Sequence, residues 1–323
     1  MALFNKEKTM QNEEQWERSV LEKVALASVT EQRRARRWGI FFKLLFLTYL
    51  VIISGIAISP MTVGGKISGE SHTAVVDVKG IIISGGEADA ESIIKSLNNA
   101  AEDPNTKGIV LRINSPGGSP VQSSYVYKAI KDIKATHPTM PVYAVVEDLC
   151  ASGGYYIASA ADKIFVNESS IVGSIGVVMN GFGFTEAMKT LGVERRLYTA
   201  GSHKGFMDPF SEVNSNERKH VQSMLNDIHQ EFIQAVKSGR GERLVENPEL
   251  FSGLVWAGDE SIRLGLTDAI GSLQSVAKNE IGEENIVDFT AQQPLFDKIA
   301  KSMGVALAKF SEELSLRQNA AIF

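Results

Sequence analysis

Three hydroxyl and amine groups in the middle of this sequence carry chemistry only if they meet. Ser152 stands in Leu149-Cys150-Ala151-Ser152-Gly153-Gly154-Tyr155-Tyr156. An apolar strand pattern ends just before it and a small-residue helix pattern begins just after. That places a hydroxyl at a strand-to-helix turn, with two glycines that let another backbone approach. Such a hydroxyl can act as a nucleophile when a base sits beside it. The same position is where helices take an N-cap serine, and the local sequence alone favours the cap. Ser174, in Val172-Gly173-Ser174-Ile175-Gly176-Val177, reads equally as a turn serine or as a polar group that orients a neighbouring amine.

A base is the scarcer part. The histidines are His72, His137, His203, His220 and His229, and none lies in an acyl-transfer motif. Lys204, in Thr199-Ala200-Gly201-Ser202-His203-Lys204-Gly205, is the better candidate. A lysine accepts a proton only if its pKa falls from about 10.4 toward neutrality, which burial achieves. Glycines on both sides allow a tight loop that would tuck it inward, although most lysines are simply solvated. Asn114-Ser115-Pro116-Gly117-Gly118 ends the strand preceding that of Ser152. In a parallel sheet both strand ends share one rim. Backbone N–H groups of that glycine loop would then face Ser152 as an oxyanion hole, unless the loop is only a turn.

The elements that would position these groups alternate in type. Strand patterns cover 74–83, 108–113, 142–147, 163–166 and 176–178. Helical patterns cover 90–101, the stretch up to Thr136, the stretch opening near Ser152, and 215–237. On the last, Val221, Met224, Leu225, Ile228, Phe232 and Val236 share one face. Strand–helix–strand order implies parallel pairing in an α/β domain.

In order, INSPGG, ASGGYYIA, GSIGV and AGSHKG resemble the blocks of the signal peptide peptidase A family, and 251–272 resembles its C-terminal block. The resemblance spans residues 73–272 and implies a Clp protease/crotonase-like fold with no metal or organic cofactor. It matches Ser152 to the nucleophile, Lys204 to the general base and Ser174 to the serine that coordinates the lysine. Gly117 and Gly118 match the oxyanion loop, and Gly153, directly after the nucleophile, belongs with that substrate-binding set. Family members form homo-oligomers, and in single-domain ones the serine and lysine can come from neighbouring protomers. Two features depart from the pattern. His203 stands where an aromatic or small residue is common, and the long N-terminal extension resembles the SohB branch.

Composition is that of a globular protein: 44% apolar, 22% charged, net charge −5, which gives no reason to expect nucleic acid. The lone Cys150 excludes an intramolecular disulfide and a cysteine-held zinc. Residues 38–59 form a run of 22 apolar-rich residues, long enough for a bilayer core of about 30 Å. Arg33, Arg34, Arg36 and Arg37 precede it, so the N-terminus is expected in the cytoplasm. The expected organisation is a cytoplasmic segment 1–37 with an amphipathic helix, one transmembrane helix 38–59, and a linker 60–72. A peptidase domain 73–290 on the exported, periplasmic side of the inner membrane and a helical tail 291–323 follow. The expected function is a membrane-anchored Ser/Lys endopeptidase acting on cleaved signal peptides. A protease trimming one membrane partner, such as a stomatin-like protein, and a catalytically silent peptide-binding scaffold are the alternatives.

Overall fold

The computed structural model describes residue 26, residues 30–52 and residues 69–291. The expected amphipathic helix before Leu26, most of the linker and the tail from 292 onward lie outside the described residues. Two units separate, Met1–Thr62 and Val63–Phe323. In the first, residues 30–52 are helical (α1), with their apolar side chains exposed throughout. Among the described residues no helix is long and apolar enough to cross a membrane. The expected span runs past Ile52, where that description stops.

The second unit is built on one sheet. Its strands are β1 (His72–Lys79), β2 (Thr106–Ser115), β3 (Val142–Ala151), β4 (Lys163–Val166), β5 (Ile171–Gly173), β6 (Val255–Ala257), β7 (Ala269–Ile270) and β8 (Ile286–Asp288). The order is β6-β5-β3-β2-β1-β8, with β4 beside β3 and β7 beside β4. All pairings are parallel except β5 with β6. Helices α2 (Ala90–Glu102), α3 (Pro120–Thr136), the short α4 (Gly153–Ala158) and the second half of α6 (Ser215–Arg240) cover one face. The period of two in the strands sorts the core. Ala74, Val76, Ile109, Leu111, Ala144 and Val146 meet Leu97, Val126 and Ile130 on that face. Val75, Val110, Val145 and Phe165 point the other way, onto Leu273 and Val276. Both α2 and α3 start where the sequence caps them, with Asp89 and Ser119 accepting N–H bonds from Ser92 and Gln122.

Strand β3 determines where the site lies. Ile113 pairs with Val146 but Ser115 pairs with Cys150, so β3 carries a bulge at Glu147–Leu149. The bulge's polar groups are held: the Ser170 hydroxyl donates to the Glu147 carbonyl, and Asn114 donates to Asp148 at 2.9 Å. Before the bulge β3 pairs with β4; after it, with β5. The second half is thereby re-aimed so that its end meets the glycine loop after β2.

Two expectations need correction. The strand expected at 176–178 is not formed; the strand is Ile171–Gly173, and no regular structure follows until α5 (Thr185–Leu191). Gly173 (φ 115°) and Ser174 (φ 53°) turn the chain out of the sheet before GVV can pair. The run expected as strand to 83 leaves the sheet at Gly80 (φ 80°), and only Ile82 rejoins it, by a single bridge to Gly118.

Candidate active site

Ser152 occupies the N-cap position of α4, but its side chain makes no capping bond. The hydroxyl is therefore not committed to the helix. The backbone there has φ 52° and ψ −121°, a conformation that a non-glycine residue adopts only when its surroundings enforce it. The Ser152 N–H donates to the Gly173 carbonyl at 2.8 Å, and the Ser152 carbonyl accepts from Tyr156 N–H at 2.9 Å. The residue is thus fixed from both sides while its hydroxyl faces a cleft of about 680 Å³.

The glycine loop packs against this turn with no room to spare. A Cβ on Gly117 would lie 2.6 Å from Gly153 N and 2.7 Å from Ser152 Cβ. One on Gly118 (φ 155°) would lie 2.2 Å from the Ile82 carbonyl oxygen, and one on Gly153 3.2 Å from Gly118 N. The N–H groups of Gly118 and Gly153 are therefore neighbours beside Ser152. Among the described residues neither donates to a protein acceptor. Two adjacent uncommitted N–H groups next to a free hydroxyl form the arrangement that holds the oxygen of a tetrahedral intermediate.

Gly118, Ser152, Gly153 and Ser174 all line the cleft, and Gly117 backs it. Ser174 is held by its N–H, which donates to Leu254 O at 2.7 Å. The remaining walls come from α3, from Tyr156 of α4, from α6, and from the chain at 176–178 and 252–253. Tyr156 and Phe232 stack at 4.8 Å between ring centroids, with Tyr127 edge-on to Tyr156 at 5.3 Å. Burial pushes the Tyr156 phenol above its ordinary pKa, against a smaller lowering by the Ser124 hydroxyl. His229 donates from Nε2 to Ile175 O at 3.1 Å and ties the Ser174 loop to α6. Sequence reading did not find Tyr156, Phe232 or Ser124 as wall residues. The signal of Phe232 was only a helical apolar period, which core residues share, and Ser124 gave no signal at all.

Lys204 is not among the lining residues. It is exposed, in a segment from Gly176 to Asn214 in which no residue is fully buried. This segment is folded by local turns. Lys204 N–H donates to Gly201 O at 3.2 Å, and Leu197 packs where a Gly205 side chain would be. Asp208 is held below the usual carboxylate range, first by the Ser211 hydroxyl, against the opposing effect of burial and with Arg195 adding to the lowering. His203 pairs through Nδ1 with Glu217 at 3.0 Å, in the first turn of α6. Cys150 is fully buried and burial pushes its thiol up, which keeps it protonated and removes it as a rival nucleophile. Among the described residues no group of three or more His, Cys, Asp and Glu side chains is placed to hold a metal.

Comparison with known proteins follows the same blocks. The model of peptidase family S49 matches residues 134–288, and that of the Clp protease matches residues 70–172. Over 220 residues the chain is 42% identical to the Na(+)/H(+) antiporter NhaA of Brucella melitensis, covering 67% of this chain and 30% of that protein. The chain therefore spans less than a third of that relative's length. It is 31% identical over 219 residues to Protease 4 of Haemophilus influenzae, covering 64% of this chain and 34% of that one. Against the putative signal peptide peptidase SppA of Enterococcus faecium it is 30% identical over 232 residues, covering 69% of this chain and 67% of that one. With overlapping family models across the sheet and this relative matched over two thirds of its length, the chain belongs to the signal peptide peptidase A family of serine proteases, peptidase family S49.

Proposed function

We propose that this chain is a membrane-anchored serine endopeptidase that hydrolyses cleaved signal peptides through an acyl-enzyme on Ser152. The carrying observation is the Ser152 hydroxyl at a left-handed backbone position, free of its capping bond, beside the uncommitted N–H groups of Gly118 and Gly153. In this reading Ser152 Oγ attacks the scissile carbonyl, its proton passes to the Lys204 amine, and the oxyanion is held by the two N–H groups. Collapse expels the amine with that proton, and Lys204 then activates water to release the acyl group. Ser174 orients the amine.

Because Lys204 is exposed and outside the cleft of its own chain, the reading requires a second copy to supply it. The segment that carries Lys204 supports this. Val178, Phe182, Tyr198 and Val213 on it are all more than three-quarters exposed, apolar surface suited to burial against a neighbour. The half-buried Val221, Met224, Leu225 and Ile228 of α6 extend the same surface. A cleft with apolar walls and aromatic stacking suits apolar peptide side chains, as in signal peptides. The apolar run 38–59, and the likeness to a stretch of an antiporter, support a site held at a membrane. A fluorophosphonate serine probe applied to the full chain tests the reading. Wild type is expected to label and Ser152→Ala not to; equal labelling of both would refute it.

A further inference from the structure

Ser115 is the last residue of β2 and is wholly buried, yet its hydroxyl makes two bonds. Its Oγ donates to the Gly80 carbonyl at 2.6 Å and accepts from the Gly117 N–H at 3.1 Å. The reason lies one residue on. Gly80 N–H donates to Asn114 O at 3.0 Å, as in a parallel ladder. A regular ladder would return a bond to Gly80 O from the N–H of residue 116. That residue is Pro116, which has no N–H. The Ser115 hydroxyl takes the place of the missing amide. By also accepting from Gly117 it carries the pairing across the proline into the glycine loop.

Beyond it the pairing resumes. Ile82 N–H donates to Gly117 O at 2.9 Å, and Ser119 N–H donates to Ile82 O at 2.8 Å. The bonds on either side of Gly118 therefore go to Ile82, and among the described residues the Gly118 N–H is left without a protein acceptor, its nitrogen beside Gly153. We propose that Ser115 is a positioning residue for the reaction, setting the direction of the Gly118 N–H by bridging Gly80 O and Gly117 N–H across Pro116. The proposal rests on the peptidase reading of the cleft. It adds that a buried hydroxyl, which touches neither substrate nor nucleophile, controls transition-state binding at this site.

The experiment compares full-length wild type, Ser115→Ala, Ser115→Cys and Ser152→Ala. Cysteine keeps the shape of serine with a somewhat larger terminal atom, but bonds weakly as donor and acceptor. Turnover of a fluorogenic apolar peptide is measured, with two inhibitors of the same peptide sequence. One ends in an aldehyde, the other in the corresponding alcohol. With the aldehyde, a bond forms between Ser152 Oγ and the carbonyl carbon while the C=O π bond breaks. Its electron pair moves to the oxygen that enters the hole, and the serine proton passes to the base. The alcohol binds the cleft without this step. Removal of a whole oxyanion donor costs about a hundred- to a thousandfold, so a donor kept but misdirected should cost about ten- to a hundredfold. The expected result is that kcat falls by that factor in both Ser115 variants with KM within about threefold. The aldehyde should weaken by the same factor and the alcohol should bind unchanged.

Unchanged kcat and aldehyde affinity in a folded Ser115→Ala would overturn the proposal. Equal weakening of aldehyde and alcohol would also overturn it, because it would mean a damaged cleft. Should the alanine variant fail to fold, Ser115→Cys decides: the selective loss supports the role and wild-type kinetics refute it. The peptidase reading is judged separately, by whether wild type turns over peptide and Ser152→Ala does not.

Discussion

Gly118→Ala isolates the loop that the reading depends on. A methyl group built on Gly118 lies 2.2 Å from the Ile82 carbonyl oxygen and 2.8 Å from both its carbon and its nitrogen. Those are backbone atoms tied into the sheet, so they cannot turn aside as a side chain would. Relief requires the loop to retreat by about 1 Å, and a misplacement of that size costs about a hundredfold in rate. Outright loss of one oxyanion donor costs about 2.7–4 kcal/mol, or about a hundred- to a thousandfold. Alanine at φ 155° adds backbone strain of about 1–3 kcal/mol, which should appear as a lower melting temperature. Gly85→Ala is the control. Gly85 also has positive φ (70°), but a Cβ there meets nothing within 4 Å, so strain is introduced without a clash and away from the cleft. The assay is kcat/KM on a fluorogenic peptide, with circular dichroism to confirm folding. The expectation is a loss of at least a hundredfold for Gly118→Ala and less than threefold for Gly85→Ala. A folded Gly118→Ala enzyme keeping more than a tenth of its kcat/KM would show that this loop does not hold the oxyanion.

Ser152→Ala and Lys204→Ala should each abolish peptide hydrolysis, and Ser174→Ala should lower it only in part; activity retained in either of the first two would remove the dyad. If Lys204 is delivered across a subunit boundary, mixing Ser152→Ala with Lys204→Ala chains should restore part of the activity. No recovery from co-assembled chains would place both groups in one copy. His203→Ala should stay within about tenfold of wild type, since its partner Glu217 at 3.0 Å is an exposed-pair contact and not a substrate group; a loss beyond about a hundredfold would move the base to His203. Alkaline phosphatase joined after residue 80 should be active and after residue 30 inactive, and the reverse pattern would overturn the expected orientation. Burial raises the Asp268 carboxyl, but bonds from Arg240, whose guanidinium is buried, and from Ile164 N–H outweigh it and hold it below the usual range. Its stabilisation is thus full above about pH 4 and lost as pH falls through the depressed value, and Asp268→Asn should cost roughly 3 kcal/mol at neutral pH in a denaturant titration.

The sheet was legible wherever one chemical cause dominated a long stretch. The patterns at 108–113 and 142–147 are core strands because alternate residues face two different apolar layers. Short elements failed that test. β5 is Ile171–Gly173, three residues inside a text that reads as a turn, and the neighbouring GVV looked more strand-like. What separates them is the pair of positive-φ residues Gly173 and Ser174, and a serine in that conformation leaves no mark in composition. At the site, Ser152, Ser174 and the glycines were legible because each sits at a strand end on one rim. The absence of Lys204 from the cleft was not, since loop glycines suggest a tight turn without saying which surface the turn faces. Ser115 was hidden for a different reason. Its role follows from the amide that Pro116 lacks, and that becomes visible only once Gly80 is known to lie opposite.

Backbone strain brings the separate pieces together. Among the described residues, the non-glycine positions with positive φ are Ser152, Ser174 and Met207. Each costs about 1–2 kcal/mol relative to an ordinary conformation. Glycine would relieve the strain at any of them, and the chain uses glycine freely for the same purpose at Gly80, Gly85 and Gly192. At 152 and 174 the strain is retained with a hydroxyl facing the cleft, and the two turns are linked by the bond from Ser152 N–H to Gly173 O. Met207 falls in the turn that follows Lys204, inside the same exposed loop. Stability alone does not account for this choice, because a fold selected only for stability would place glycine there. A side chain kept at a costly backbone position is explained by what the side chain does. The three strained positions fall on the segments of the proposed nucleophile, of the serine proposed to orient the base, and of the proposed base.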